Sequence, residues 1–147
     1  MPNVIGFSEC WGISVLHCPY CHGYEVKNEI TGILGNGEYG YEFSKLISNW
    51  TKELTLFTNG ASMLTSEQKM LLEKHSIEIV EKEIKELEHQ NGQLKGIIFK
   101  DGSKQTVKAI YTKLPFEQNC TVPEQLGCEI TEDGYIKIDA TQKTTTK

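Results

Sequence analysis

The chain has 147 residues, of which 38% are hydrophobic and 24% are charged, and its formal net charge is -5. This composition can bury the core of one domain, and no apolar stretch approaches the roughly 18 residues that a membrane-spanning helix requires. A negative net charge without a cluster of basic residues indicates no nucleic-acid partner. Because the N-terminus lacks the features of a secretory signal, we expect a soluble, cytoplasmic protein that forms no membrane contact.

The first motif along the chain is HCPYCH, from His17 to His22, in which two residues separate Cys18 from Cys21. Two cysteines at this spacing form a disulfide and reopen it, and neighbouring imidazolium groups lower the pKa of such a thiol. The spacing therefore indicates a redox-active dithiol. The chain contains five cysteines, and the other three have no partner at a meaningful spacing, so we interpret them as ordinary thiols: Cys10, Cys120 and Cys128.

Three other chemistries use the same spacing. C-x-x-C-H is the attachment sequence of c-type haem, but that attachment is expected in exported proteins, and this chain shows no export signal. Zinc needs four ligands, and no second pair at metal-binding spacing is present, although Cys120 and Cys128 could complete a site through long-range contacts. CPYC also resembles the glutaredoxin active site, but a glycine turn follows it where that fold requires a helix. A redox dithiol in another fold is therefore favoured, and no metal site is predicted.

A strand, a glycine turn and a helix come next. Residues 30–34 are mostly apolar and predict a strand, and ELTLFT at 53–58 predicts a second one. The helix between them has one apolar face, formed by Phe43, Leu46, Ile47 and Trp50. This order is typical of a dinucleotide-binding βαβ unit, although GxGxxG alone also fits an ordinary glycine turn. The candidate cofactor-binding residues of the turn are Gly35, Asn36, Gly37, Glu38, Tyr39 and Gly40.

Each glycine of the turn has an expected role. Gly35 permits the tight turn, Gly37 lets a pyrophosphate approach the backbone, and Gly40 allows the helix to pack closely on the strand. An NAD site would place an acidic residue at the end of the second strand, and an NADP site an arginine nearby. Here the strand ends at Thr58 and Asn59, which could bind a ribose hydroxyl but supply no charge for a 2′-phosphate. The preference between NAD and NADP therefore stays open.

The remaining elements follow in regular order. Thr65 and Gln68 form a predicted capping box that opens a helix through about residue 75, and IEIV at 77–80 predicts a third strand. Asn91-Gly92 and Asp101-Gly102 then lie between strand-like runs, which predicts two tight hairpins and an antiparallel meander. Residues 135–138 predict a final strand after a third turn. Together these elements predict an α/β fold.

From Gly6 onward the chain resembles the pyridine-nucleotide domain of thioredoxin reductase-like flavoprotein disulfide reductases. The resemblance rests on SVLHCPYCHGYE, on the GILGNGEYG turn, whose GxGxxG pattern begins 14 residues after the second cysteine of the motif, on the double hairpin and on LGCEITEDGYIKID. It implies a Rossmann-like three-layer ββα sandwich, with a parallel sheet, helices on one face and the antiparallel meander on the other.

The resemblance also implies roles for the motif. Cys18 matches the interchange thiol that attacks a substrate disulfide, and Cys21 matches the thiol that exchanges electrons with the flavin. His22 stands where the family commonly has an acid/base aspartate, a role that imidazole can perform because it titrates near neutrality. The implied cofactors are NADP or NAD in this domain and FAD in the full-length protein. The implied partner is thioredoxin or another small dithiol, and the implied assembly of the full-length protein is a homodimer.

Several family features are absent from the sequence. The chain has neither a second glycine fingerprint nor a glycine-aspartate flavin motif, and TLFTNGASM replaces the double-arginine patch that binds NADPH. We therefore expect residues 1–14 to be a linker from a missing FAD domain, 15–140 to be the NAD(P)-binding domain, and 141–147 to lead back towards the FAD domain. Such a chain alone should be inactive. Two alternatives remain: a dithiol oxidase-type relative that uses no nicotinamide, and a non-catalytic nucleotide-binding module with a structural or metal-binding CxxC.

Overall fold

The computed structural model describes residues 3–116 and 118–146 and divides the chain into two compact units, Met1–Leu114 and Pro115–Lys147, here called unit 1 and unit 2. The strands of unit 1 are, in chain order, Val15–Leu16 (β1), Thr31–Leu34 (β2), Leu54–Phe57 (β3), Glu78–Val80 (β4), Ile84–Gln90 (β5), Gln93–Phe99 (β6), Lys104–Thr106 (β7) and Ala109–Thr112 (β8). The helices of unit 1 are Phe7–Cys10 (α1), Pro19–His22 (α2), Gly37–Ile47 (α3) and Ser66–Lys74 (α4).

A five-stranded parallel sheet forms the middle layer of unit 1, with strand order β1-β8-β2-β3-β4. Every residue of β2, β3 and β8 is buried, because both faces of the sheet are covered. Successive residues point to opposite faces. Leu16, Ile33, Leu56 and Tyr111 pack with the helices, and Val15, Leu34, Phe57 and Ile110 pack towards the meander.

Strands β5, β6 and β7 form the antiparallel meander on the second face of the sheet. Its turns contain Asn91-Gly92, both at positive φ, and Gly102 at φ 83°. These are the two hairpins that the sequence predicted from turn residues. The meander contributes Leu87, Ile97 and Phe99 to the core that it shares with the sheet. The predicted three-layer ββα architecture is thus confirmed.

Helices α3 and α4 cover the other face of the sheet. The predicted capping box of α4 is present: Thr65 Oγ1 accepts from Gln68 N–H at 3.2 Å, and Gln68 Oε1 accepts from Thr65 N–H at 2.9 Å. Helix α3 ends earlier than its apolar pattern predicts, because the Asn49 side chain donates to carbonyl groups of the last turn. Trp50 therefore lies beyond the helix, although it still packs against the helix-side core.

The N-terminal segment of unit 1 is folded onto the meander side. Phe7 and Cys10 of α1 are buried in that core. The buried Ser14 hydroxyl donates to Gly92 O at 2.6 Å and accepts from Leu94 N–H at 3.1 Å, which ties the start of β1 to the first hairpin. The origin of residues 1–14 as a linker from a flavin domain stays a prediction.

Unit 2 has little regular structure. It contains the short helix Val122–Gln125 (α5) and two isolated β-bridges, Ile130 with Ile136 and Ile138 with Thr144. Two bridged residues thus stand where the sequence predicted a continuous strand at 135–138. The boundary predicted at residue 140 lies inside unit 2, and the assignment of 141–147 as a linker stays a prediction. No helix among the described residues is long and apolar enough to cross a membrane.

Candidate functional site

Both predicted motifs lie at the carboxyl edge of the parallel sheet. Strand β1 leads into the CxxC motif, and β2 leads into the glycine turn. Because β8 lies between these strands, β1 and β2 are about 10 Å apart at the usual strand spacing. The carboxyl edge is where open α/β sheets bind their ligands. The topology therefore brings the dithiol and the candidate nucleotide site to one side of the molecule.

The two cysteines of the motif are free and adjacent. Their Sγ atoms lie 2.7 Å apart, with the Cys21 thiol donating to Cys18. Cys18 is the N-cap of α2 and accepts a second hydrogen bond, from the Cys21 N–H at 3.3 Å. Pro19 at the start of α2 fixes the backbone direction after Cys18. The short helix thus holds both sulfurs at one place, with Cys21 exposed and Cys18 half-buried.

These contacts make the two thiols unequal. The hydrogen bond from the Cys21 thiol lowers the pKa of Cys18, and the same bond raises the pKa of Cys21. The backbone N–H of Cys21 also favours the Cys18 thiolate. Since the thiolate is the nucleophilic form, Cys18 is the better attacking group of the pair. This order agrees with the role that the family resemblance implies for Cys18.

His22 forms a pair that the sequence analysis missed. Its Nδ1 lies 3.0 Å from the Glu25 carboxylate, so Nε2 is the nitrogen left to exchange a proton with another group. The H-x-x-E spacing was the available signal, but it is informative only when a helical turn brings both residues together. The ring of His17, the other histidine of the motif, stacks on the Trp11 ring, with 6.0 Å between the two ring centroids.

The glycine turn has the geometry of a phosphate-binding loop. Gly37 has φ 55° and a position where an added Cβ would meet nothing closer than Met63 Cβ at 3.7 Å, so its backbone is open to a ligand. At Gly40 an added Cβ would lie 3.1 Å from the Gly35 backbone and 3.2 Å from Leu56 Cδ1. Close packing of α3 on β2 and β3 therefore requires glycine at 40.

Asn36 connects the glycine turn to the segment after β3. Its Oδ1 accepts from Gly37 N–H and from Met63 N–H, both at 2.8 Å. Its Nδ2 donates to Ala61 O at 2.9 Å and to Thr58 O at 3.4 Å. The Gly37 N–H, a donor that the turn would otherwise offer to a phosphate, is thus bonded to a side chain of the protein itself.

Charged side chains of α3 and α4 are also bonded within the protein. Glu38, in the first turn of α3, accepts a hydrogen bond from Gln68 Nε2 at 2.7 Å. Lys69, which follows Gln68 in α4, pairs with Glu81 at 2.8 Å. All 15 basic residues of the chain are lysines, so no arginine is available for a bidentate phosphate contact. A carboxylate at Glu38 is unfavourable for a nearby pyrophosphate.

The other predicted nucleotide residues have structural contacts. Thr58 is buried, and its hydroxyl donates to Gly60 O at 2.7 Å. Asn59 is exposed at φ 53°, and its Oδ1 accepts from Ile84 N–H at 2.7 Å, which leaves its amide nitrogen facing outward. Burial raises the pKa of Tyr39, whose ring stacks on Phe43 at 5.1 Å. Cofactor contacts of these residues stay predictions.

The described residues include no group of three or more His, Cys, Asp or Glu side chains placed to hold a metal ion.

The thiols outside the motif lie in different surroundings. Cys10 is buried, and desolvation raises its pKa, whereas Cys120 is exposed and Cys128 is half-buried in unit 2.

Comparison with known proteins identifies the family to which the chain belongs. The model of the pyridine nucleotide-disulphide oxidoreductases matches residues 2–147. The chain is 26% identical over 147 residues to thioredoxin reductase tcpT of Claviceps purpurea, covering 95% of this chain and 46% of the relative. It is 27% identical over 159 residues to thioredoxin reductase aclD of Aspergillus oryzae, covering 99% and 49%. The chain thus spans about half the length of these relatives.

Two solved structures share the fold. An oxidoreductase from Agrobacterium tumefaciens superposes with a TM-score of 0.87 at 26% identity, covering 100% of this chain and 49% of that one. A Bacillus anthracis protein assigned as the thioredoxin reductase TrxB gives a TM-score of 0.85 at 29% identity, covering 99% and 49%. The chain is thus similar to thioredoxin reductases, and it belongs to the pyridine nucleotide-disulphide oxidoreductase family.

Proposed function

We propose that the chain is the pyridine-nucleotide and dithiol part of a thioredoxin reductase-like flavoprotein. In this role it passes electrons between NAD(P)H, FAD, the Cys18–Cys21 pair and an external dithiol or disulfide, such as thioredoxin or a smaller dithiol. The observation that carries the proposal is the pair itself, with two free sulfurs 2.7 Å apart and the lower pKa at Cys18.

The exchange step balances within the pair. The Cys18 thiolate attacks one sulfur of the external disulfide, and the other sulfur leaves as a thiolate that takes up a proton. Cys21 then loses its proton and attacks Cys18, which forms the Cys18–Cys21 disulfide and releases the second external thiol. Two electrons have passed from the pair to the substrate. Nε2 of His22, with Nδ1 held by Glu25, is the proposed proton carrier.

The cofactors would supply the electrons for the reverse half of the cycle, with NAD(P)H as hydride donor and FAD as the carrier that gives two electrons to the Cys18–Cys21 disulfide. For the nucleotide, Gly37 offers open backbone and Gly40 allows the helix to approach, so the shape of the turn fits a pyrophosphate. A nucleotide that used the Gly37 amide would replace the Asn36 side chain there. We expect that the 147-residue chain by itself does not turn over.

A second candidate function follows from the hydrogen bonds that Asn36 makes at the glycine turn. The bonds of Asn36, the Glu38 carboxylate and the pairing of Lys69 favour a dithiol oxidase-type relative that does not use NAD(P)H. In such an enzyme an external dithiol would reduce the Cys18–Cys21 disulfide, and two electrons would pass through the flavin to dioxygen, giving a disulfide and hydrogen peroxide. The dithiol chemistry is the same in both candidates, and only the use of nicotinamide differs.

Two measurements on the purified chain test the proposal. Equilibration with mixtures of reduced and oxidised glutathione, followed by alkylation and peptide mass spectrometry, should show Cys18 and Cys21 converting together to an intramolecular disulfide. If the two cysteines only form separate mixed disulfides, the redox pair is lost and a structural CxxC in a non-catalytic module is favoured. The Cys21→Ser variant is the control, because it can form only the mixed disulfide at Cys18.

Calorimetric titration with NADPH and NADH in parallel separates the two candidates. Saturable binding of either nucleotide supports the reductase and identifies its preference. Absence of binding to both, with the dithiol still active, supports the nicotinamide-independent relative. The parallel titration of Gly40→Val, which fills the contact between α3 and Gly35, controls for binding outside the turn.

A further inference from the structure

The end of the CxxC helix packs on the ring of Trp50. Gly23, which follows α2, has φ -61°, a value that any residue adopts, so its backbone conformation does not require glycine. An added Cβ would however lie 2.8 Å from both Cδ2 and Cε2 of the Trp50 indole and would overlap the Pro19 carbonyl oxygen. Ordinary contacts between carbon atoms are about 3.5–4.0 Å long. The space at the end of α2 therefore requires glycine at position 23.

Trp50 and its neighbour also hold the segment that leaves the motif. The Trp50 carbonyl oxygen accepts from the Asn28 N–H at 3.0 Å, and the hydroxyl of the next residue, Thr51, donates to Glu29 O at 2.8 Å. The indole and the side chain of Val26 both pack against the helix-side core. Backbone and side-chain contacts thus join the residues after the motif to the chain that follows α3.

The hydrogen bonds of α2 connect Gly23 to the two sulfurs. The Gly23 N–H donates to Pro19 O at 2.7 Å, and the His22 N–H donates to Cys18 O at 3.2 Å. The backbone N–H and the thiol of Cys21 both donate to the Cys18 Sγ. Residues 18–23 thus form one hydrogen-bonded turn, so that a displacement at Gly23 is carried to Cys21.

The two sulfurs are held close to bonding distance. They are 2.7 Å apart, and a disulfide requires about 2.05 Å, so oxidation closes a gap of less than about 1 Å. Holding two reacting groups together raises their effective concentration, because less entropy is lost when the bond forms. We propose that Trp50 is a positioning residue that supports Gly23, keeps the sulfurs at this separation and so favours the Cys18–Cys21 disulfide. The inference rests on the proposed function of the dithiol pair.

The effective concentration of the pair is measured at equilibrium with glutathione. Glutathione disulfide takes two electrons and two protons from the dithiol, which closes to a disulfide, and leaves as two molecules of glutathione. Trp50→Ala removes the ring and keeps the carbonyl that accepts from Asn28, so the equilibrium constant of this reaction should fall about three- to tenfold. The matched control is Tyr41→Ala, because Tyr41 is a half-buried aromatic residue of α3 that packs on the same core, with its ring under Lys45.

A double-mutant cycle tests the contact itself. Gly23→Ala should lower the equilibrium constant in the parent, and by a smaller factor when residue 50 is already alanine, because the added methyl group then has room on that side. Urea denaturation checks that each variant is folded, and Trp50→Leu replaces Trp50→Ala in the cycle if the alanine variant is not. Independent effects of the two substitutions, an unchanged or increased constant in Trp50→Ala, or an equal fall in Tyr41→Ala would overturn the inference. A parent chain that forms no Cys18–Cys21 disulfide would instead overturn the proposed function.

Discussion

The CxxC motif and the glycine turn lie at the same edge of one sheet, but their polar groups are arranged in opposite ways. At the CxxC motif the reactive atoms are left available: two free sulfurs and the Nε2 of His22. At the glycine turn, Asn36 bonds the backbone donors and Gln68 bonds the carboxylate of Glu38. The dithiol is ready to react, whereas the turn must exchange internal bonds before it binds a ligand.

The largest expected effect is at Cys18. Cys18→Ser should lower the rate of exchange with a small neutral disulfide, bis(2-hydroxyethyl) disulfide, at least about 100-fold, because it removes the thiolate that attacks first. Cys21→Ser should keep the attack and accumulate the mixed disulfide at Cys18, which mass spectrometry detects. Cys120→Ser, at an exposed cysteine of unit 2, is the control and should react like the parent. Equal rates for the three variants would contradict the assignment.

The second prediction compares cysteines across pH. The pKa of Cys18 is lowered, and those of Cys21 and Cys10 are raised. Since only the thiolate reacts and its fraction increases as pH rises through the pKa, Cys18 should become reactive at the lowest pH of the three. At neutral pH we expect alkylation of Cys18 to exceed that of buried Cys10 by about tenfold or more. An inverted order for Cys18 and Cys21 would make Cys21 the nucleophile.

The third prediction opens the glycine turn. Asn36→Ala removes the N-cap of α3 and the bonds to Met63 and Ala61, so the free energy of unfolding in urea should fall by about 1–2 kcal/mol. It should also free the Gly37 amide and strengthen nucleotide binding in the calorimeter. Asn49→Ala, at the exposed end of the same helix, is the matched control. If Asn36→Ala behaves like that control, the turn is not held by Asn36.

The smallest expected effect is at Glu25. Glu25→Gln removes the charge that holds His22 Nδ1 at 3.0 Å, and the rate of disulfide exchange should fall roughly three- to tenfold, with a changed pH profile. Glu29→Gln is the control, because Glu29 lies in the same connection and its hydrogen bonds to the described residues use only its backbone N–H and carbonyl. A parallel loss in both variants would assign the effect to general charge around the motif.

Features set by neighbouring residues were predictable from the sequence. The capping box of Thr65 and Gln68 and the hairpin turns at Asn91-Gly92 and Asp101-Gly102 depend on local spacing, and the structure contains them. The glycine turn was also located correctly between a strand and a helix, because six consecutive residues define the GxGxxG pattern. The spacing of neighbouring residues is thus enough to locate a motif in the sequence.

Contacts between distant segments were not predictable. Asn36 reaches Met63, which is 27 residues away, and nothing in GNGEYG indicates that its own asparagine fills the turn. AIYT at 109–112 reads as an ordinary buried strand, and only the pairing of β8 with β1 and β2 shows that it lies between the strands that lead into the two motifs. The strand at 135–138 was predicted after a third turn, but a turn does not provide a continuous partner strand, and isolated bridges result. Contacts between side chains that are distant in the sequence could be identified only once the strand order was known.

The two-residue strand β1 connects the reactivity of the dithiol to the order of synthesis. Its sheet partner is β8, and Val15 pairs with Ile110, which follows it by 95 residues. At 5–20 residues per second, the cysteines leave the ribosome roughly 5–20 s before the strand that fixes them. During that interval Cys18 and Cys21 belong to a nascent chain in which β1 has no partner strand. A Cys18 thiol that reacts at a lower pH than Cys21 therefore reports that α2, with its hydrogen bonds from Cys21 to Cys18, has formed.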